Sequence, residues 1–431
     1  MRRDPQARLR FLLRLLALLA LVSAGVNLRW WLHGRSHRGG TAGSTLRADG
    51  SRASRPAPDT LVPQVEQQRR WVAAHPDDVS ARLALARFLF ITHHFPEAEE
   101  QLLLLQRRQP HRAPIDYWLS LVQKQNGQLD AALRSIQEAR RLDPHNEVFR
   151  EGLGEIYLAQ GRSEEAASAF DACLKQQPDS YAALMGKARA MEQLYEAKLP
   201  VAIPEIVTPV QKAVQLQPRN PWGVTVLARM SFAYLQQFET AERLANQAIQ
   251  LDPRQAEPYL ILVEIYLDNP TPDSAAKAVA CARQAARLDP HNPQPLYLLG
   301  RALLRQNDLP GAIDAFEQST RIQLMPEAVY QLSLAYARAG RMDQARHYSR
   351  LYDSWSQFTE RRKLLLALLQ HRPQDIGLHA QLAELYLAQG ALEPARNWLR
   401  KGLQLRPQDP TLRRLLAKAE GKEGDETSPK K

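Results

Sequence analysis

Between residues 79 and 409 the apolar positions recur in blocks of about 34, and each block divides into two helical stripes. In residues 147–180, Leu153, Gly154 and Tyr157 fall on one helical face at i, i+1 and i+4, and Ala166 and Phe170 share a face of a second helix. Gly161 lies between the two stripes, where a turn needs a permissive backbone, and Pro178 stops the second helix. The marks recur in register. Pro76, Pro110, Pro144 and Pro178 stand 34 residues apart, and Pro218, Pro253 and Pro290 follow at spacings of 40, 35 and 37. Leu324 takes the next slot, and Pro373 and Pro407 again stand 34 apart. Twelve residues before these marks stands an alanine (Ala98, Ala132, Ala166, Ala241, Ala278, Ala312 and Ala395), with Ile206 the exception. A helix pair of this kind leaves an apolar face uncovered, so neighbouring pairs must stack.

This order of residues resembles the tetratricopeptide-repeat family, whose units are helix–turn–helix blocks of 34 residues. The resemblance covers residues 79–409 and implies an all-α fold, an α-solenoid of stacked helix pairs. Nine units start near residues 79, 113, 147, 181, 222, 256, 293, 326 and 376. The expected organisation is a membrane anchor or signal segment at 1–33, a flexible basic linker at 34–60 and a lead-in helix at 61–78. A repeat array at 79–352, an irregular extra helix at 353–375, a last unit with its capping helix at 376–420 and a disordered tail at 421–431 follow. Three places depart from the pattern. The unit at 181 is lengthened by a stretch holding Pro200, Pro204 and Pro209, and the unit at 256 carries Asp268-Asn269-Pro270-Thr271-Pro272 in its turn. The unit at 326 lacks its closing proline and is expected to run into a separate helix over about 358–370.

Ahead of the array, Arg2, Arg3, Arg8, Arg10 and Arg14 precede an uncharged apolar run from Leu15 to Leu28, and Arg29, Trp30 and Trp31 follow it. Read as a retained anchor, the arginines snorkel and the tryptophans sit at the interface. Read as a signal peptide, the segment ends at Val22-Ser23-Ala24. The arginine excess before Leu15 places the array outside the cytoplasm, on the periplasmic or extracytoplasmic side of the inner membrane. The alternatives are a secreted or periplasmic product after cleavage, or an array facing the cytoplasm.

The whole chain carries a formal net charge of +11, but eleven arginines against three aspartates lie in residues 1–60 alone. The array is close to neutral, which argues against nucleic acid as a partner, because duplex binders concentrate basic groups on one face. Two cysteines, Cys173 and Cys281, provide neither a disulfide framework nor a thiolate metal site. His145 and His291 each follow Asp-Pro at a repeat junction and read as turn residues. No phosphate loop, nucleophile elbow or His-Glu-x-x-His motif occurs, so no catalytic residue, metal site or cofactor is assigned and the chain does not read as an enzyme.

What remains is surface. In the resembled family the first helices line a groove that holds an extended peptide or a partner helix. The groove-facing candidates here are Arg87, Tyr117, Glu151, Glu155, Arg189, Glu192, Met230, Glu264, Tyr297, Arg301, Arg305, Tyr330, Arg338 and Glu384. One group is denser in recognition chemistry than the rest. Tyr297, Arg301 and Arg305 are four apart on one helix, and Tyr330 and Arg338 hold comparable places in the next unit. Arginine forks bind carboxylates, and tyrosine adds apolar area at low entropy cost. The expected function is a membrane-tethered scaffold that binds protein partners in assembly of an envelope complex. The alternative is a regulatory or substrate-delivery subunit of a protease or glycosyltransferase.

Overall fold

The computed structural model describes residues 62–420, and every regular element there is an α-helix. Residues 1–61 and 421–431 lie outside the described residues, and with them the expected anchor, basic linker and tail. Among the described residues no helix is long and apolar enough to cross a membrane.

The chain divides into two compact units, with the boundary between Ile265 and Tyr266. The first begins with α1 (Val62–Ala74) and continues as helix pairs. These are α2 (Val79–Ile91) with α3 (Phe95–Arg108), α4 (Ala113–Gln125) with α5 (Leu129–Leu142), and α6 (Glu147–Ala159) with α7 (Ser163–Gln176). Then come α8 (Tyr181–Glu196) with α9 (Ile203–Leu216) and α10 (Pro221–Ala233) with α11 (Phe238–Leu251), while α12 (Glu257–Asp268) carries the boundary. The second unit holds α13 (Ser274–Leu288), then α14 (Pro293–Arg305) with α15 (Leu309–Ile322) and α16 (Pro326–Arg338) with α17 (Met342–His371). It closes with α18 (Ile376–Ala388), α19 (Leu392–Leu405) and α20 (Pro410–Ala419).

The helices start where polar caps stand. Asp78, Ser180 and Asp409 accept hydrogen bonds from the backbone N–H groups of Ala81, Ala183 and Leu412 at 2.9, 3.1 and 3.0 Å. The turn inside most pairs needs one left-handed residue. Gly127, Gly161, Gly340 and Gly390 fill that place at φ between 68° and 78°, and His93, Lys198, Gln236 and Asn307 fill it elsewhere at φ between 54° and 65°. At the junctions, side chains reach back to the proline carbonyls. Arg82 donates to Pro76 at 2.9 Å, Arg150 to Pro144 at 2.8 Å, Lys212 to Pro178 at 2.7 Å and Arg413 to Pro407 at 3.0 Å. These prolines stand just beyond the helix ends, where no backbone N–H among the described residues reaches their carbonyls, so the long cations satisfy them.

Pairs lock through a bulky side chain on the second helix set against small residues. The tip of the Phe170 ring lies so close to Gly154 and Gly186 that a Cβ on either would come within 2.7 and 2.3 Å of Cζ. Phe316 sits against Gly300 in the same manner, at 2.5 Å, and Ile136 against Gly152 at 3.1 Å. Ala98, Ala132, Ala166, Ala241, Ala278, Ala312 and Ala395 are all fully buried.

Two departures from the sequence-based expectation have physical causes. The helix expected over 358–370 is not separate: α17 runs unbroken for 30 residues and contains no proline or glycine to end it. Pro204 and Pro209, expected in the stretch that lengthens the unit at 181, instead belong to its second helix α9, one in the first turn and one inside it.

Candidate partner-binding site

The first helices of the N-terminal unit carry a ladder of opposite charges. Glu155 on α6 is reached by Arg189 on α8 at 3.0 Å and by Lys124 on α4 at 3.6 Å. Glu192 on α8 is held by Arg229 on α10 at 2.7 Å, and Arg229 also lies 3.8 Å from Glu257. The Tyr234 hydroxyl donates to Glu192 at 2.9 Å. Burial pushes the Glu155 carboxyl up, but Arg189 and Lys124 outweigh it and hold the group below the usual carboxylate range. Four residues from it, Glu151 is displaced upward, first by burial and then by Glu147 and Glu155, although the Ser180 hydroxyl donates to it at 2.6 Å. The ladder leaves this face largely self-neutralised. Arg87 lies over the Trp118 ring at 5.2 Å, and Tyr117 packs on Phe149 at 5.2 Å, where burial pushes its hydroxyl up to about 12. Met230, expected to face the groove, is fully buried instead, because the apolar face of α10 packs against α9.

In the C-terminal unit the expected residues lie on two parallel stripes. On α14, Tyr297 leans on Phe316 at 6.0 Å, and Arg301 lies over the Tyr297 ring at 5.9 Å. Arg305 is exposed and donates to the Leu267 carbonyl at 3.0 Å. On α16, Tyr330 is 43% exposed and its ring lies 5.2 Å from that of Tyr352, while Arg338 is exposed. Among the described residues none of Arg301, Arg305 and Arg338 is ion-paired with a carboxylate. The stripes are therefore cationic where the N-terminal ladder is compensated.

A search for charge misses Leu334. It stands four residues from both Tyr330 and Arg338 and is 43% exposed, so it joins them into one stripe. An apolar residue on the polar face of a first helix is the signal that finds it. Beside this stripe Tyr336 stacks on Tyr348 at 5.6 Å and donates to Glu317. Burial first, and then that carboxylate, push its hydroxyl up to about 12.

No group of His, Cys, Asp or Glu among the described residues could hold a metal ion. Cys173 is buried at the place that Ala139 and Ala248 hold in other units, and burial pushes its thiol up to about 11, away from reactivity.

Comparison with known proteins identifies the repeats. One family model for the tetratricopeptide repeat matches residues 123–193 and 357–419, and a second matches 275–323. Over 200 residues, 46% of the chain, it is 25% identical to cellulose synthase 1 operon protein C of Komagataeibacter xylinus. Over 92 residues, 21% of the chain, it is 33% identical to anaphase-promoting complex subunit 3 of Dictyostelium discoideum. These matches span only 15% and 10% of the relatives' own lengths. A tetratricopeptide repeat protein from Parabacteroides merdae superposes with a TM-score of 0.43 at 19% identity, over 60% of this chain and 98% of that one. The chain thus carries tetratricopeptide repeats, a protein-interaction fold, and no catalytic family is indicated.

Proposed function

We propose that the chain is a membrane-tethered scaffold whose repeats recruit a protein partner through the stripes Tyr297–Arg301–Arg305 and Tyr330–Leu334–Arg338. One observation carries this reading: the arginines of these stripes have no ion-paired carboxylate among the described residues, whereas Arg189 and Arg229, which hold the place of Arg301 on α8 and α10, are paired with Glu155 and Glu192. Guanidinium groups not already paired keep their forks for carboxylates of a partner segment, and the tyrosines beside them supply apolar area. The tether is the apolar segment within 1–33, and the array lies on the extracytoplasmic side, in keeping with the arginine excess before Leu15. Assembly of an envelope complex such as a polysaccharide exporter fits this placement, and the partial likeness to cellulose synthase 1 operon protein C supports it.

The test is the triple variant Arg301→Ala, Arg305→Ala, Arg338→Ala in the full chain, captured from detergent-solubilised membranes at physiological salt. One desolvated arginine in a real contact is worth about 2 kcal/mol, on the order of thirtyfold in affinity. Partner recovery should therefore fall to background while the far-ultraviolet circular dichroism stays unchanged. Recovery at wild-type levels by the folded triple variant refutes the site. A reporter that fluoresces only in the cytoplasm, fused after Lys431, should stay dark, and a bright fusion overturns the topology.

A further inference from the structure

We infer that the α16/α17 hairpin receives an amphipathic helix of a partner protein on the side where a following repeat's first helix would lie, parallel to α16 and ending in carboxylates. The inference rests on the scaffold reading above and adds the partner's shape and polarity.

In the regular units a following first helix is met by a knob on the second helix before it. Ile136 meets Gly152, and Phe170 meets Gly186. The corresponding residue of α17 is Ser349, which is exposed. With no knob, and no proline or glycine to turn the chain, α17 runs on. Its distal half engages α18 instead: Leu365, Leu366 and Leu369 cluster with Leu378, Leu382 and Leu385, and Phe358 meets Tyr386 at 5.6 Å. The near half is left with an apolar strip from both helices of the hairpin. Tyr330 and Leu334 are each 43% exposed, Tyr330 lies 5.2 Å from Tyr352, and Tyr352 lies 6.5 Å from Trp355. A strip of anchors spaced at i and i+4 along a stacked hairpin suits the apolar face of a helix.

Charge fixes which helix fits, and in which direction. Arg338 stands one turn beyond Leu334, at the turn end of the hairpin, followed by Arg341, which lies over the Tyr336 ring at 5.9 Å. Asp353, exposed, stands at the opposite end, where Glu327 is half-buried and its carboxyl is displaced upward by burial. Between them on α17, Arg346 is already paired with Asp343 at 2.7 Å, and Arg350 donates to the Arg346 carbonyl at 3.3 Å. The hairpin side is therefore basic at one end and acidic at the other. Successive first helices run parallel in this fold: Glu155 and Arg189 hold the same register place on α6 and α8 and meet at 3.0 Å. A partner helix laid down in that sense brings its negative C-terminal end to Arg338 and its positive N-terminal end to Asp353. Carboxylates in its last turn add to the match, and the reversed helix meets like charge at both ends.

The experiment uses the full chain and two labelled synthetic peptides of about 16 residues, long enough for four helical turns. Both share one leucine stripe and one composition. The first carries Glu in its last turn and Lys in its first, and the second has the two exchanged. Fluorescence anisotropy at physiological salt should show the first binding at least ~10-fold more tightly, and Leu334→Arg should weaken it by a further ~10-fold or more. Tyr330→Ser, which removes a ring that is 43% exposed, is the second variant should Leu334→Arg fail to fold. Equal binding of the two peptides, no binding of either, or binding indifferent to both substitutions overturns the inference. So does a dimer in sedimentation that Leu334→Arg dissolves, which assigns the strip to a second copy. Peptide binding gained only on removal of residues 421–431 also overturns it, because the strip then belongs to the chain's own tail. If the peptides fail while the wild-type chain still captures partners, only this inference falls. Loss of all capture by the wild-type chain defeats the scaffold reading itself.

Discussion

Replacing Gly186 with alanine adds one methyl group, and the packing of Phe170 makes that group expensive. The new Cβ would stand 2.3 Å from Cζ and 2.4 Å from Cε1 of the ring, where carbon atoms ordinarily rest about 3.5–4.0 Å apart. The ring is 1% exposed, and its tip also lies within 2.7 Å of the place a Cβ would take on Gly154, so it has little room to retreat. Overpacking of a tight core costs about 1–3 kcal/mol, and exchanging glycine for alanine inside a helix returns about 1 kcal/mol. We predict a net loss of up to about 2 kcal/mol for Gly186→Ala. In a Phe170→Leu background the clash disappears and the same substitution becomes neutral or stabilising by up to about 1 kcal/mol, a coupling of about 2 kcal/mol. Urea titration followed by circular dichroism measures the four corners of the cycle. Native-state hydrogen exchange should place the loss in α6, α7 and α8, because each repeat leans on its neighbours alone. Gly186→Ala that stabilises the wild-type chain, or a cycle with no coupling, refutes the wedge.

Two further predictions concern the ladder and the turns. The folded state holds Glu155 below its ordinary value of 4.5, so its contribution to stability is complete above that pH and is lost as pH falls through the depressed value; Glu155→Gln should flatten the acid limb of the urea midpoint against pH, and an unchanged limb counts against the ladder. Gln236 sits at φ 54°, a left-handed backbone that strains a side-chain-bearing residue, so Gln236→Gly should stabilise by about 0.5 kcal/mol after glycine's greater unfolded-state entropy is subtracted, and a loss of midpoint in thermal melts contradicts this.

The repeat was legible because its period is written in residues that punctuate the backbone. Pro76 to Pro178 mark junctions, Gly127 and Gly161 mark turns, and Gly154 marks a close approach, each for a local steric reason. The continuity of α17 is written as plainly, in thirty residues without a proline or glycine. The periodic expectation of a boundary near 352 competed with that signal, and local helix propensity prevailed. Met230 was misplaced because the unit was taken to start at 222, whereas α10 starts at Pro221, so the register place of Arg189 and Arg301 falls on Arg229 and Met230, one residue further on, turns into the core.

Arg189, Arg229 and Arg301 occupy the same register place on α8, α10 and α14, and the sequence presents them as equivalents. Stacking separates them. The first two meet Glu155 and Glu192, contributed by the preceding first helix 34 and 37 residues earlier. Arg301 folds over its own helix onto Tyr297. Whether an arginine is spent on the array or kept for a partner thus depends on a residue one repeat away, a distance at which local pattern carries no information. The same argument separates the consequences of substitution. Arg229→Ala leaves Glu192 and Glu257 without their cation in a half-buried setting and should disturb the fold. Arg301→Ala and Arg338→Ala strand no ion-paired carboxylate and should fall within about 0.5 kcal/mol of wild type, as surface substitutions do. If all three prove equally destabilising, the stripe on α14 and α16 is part of the scaffold's own packing and the recognition reading loses its basis.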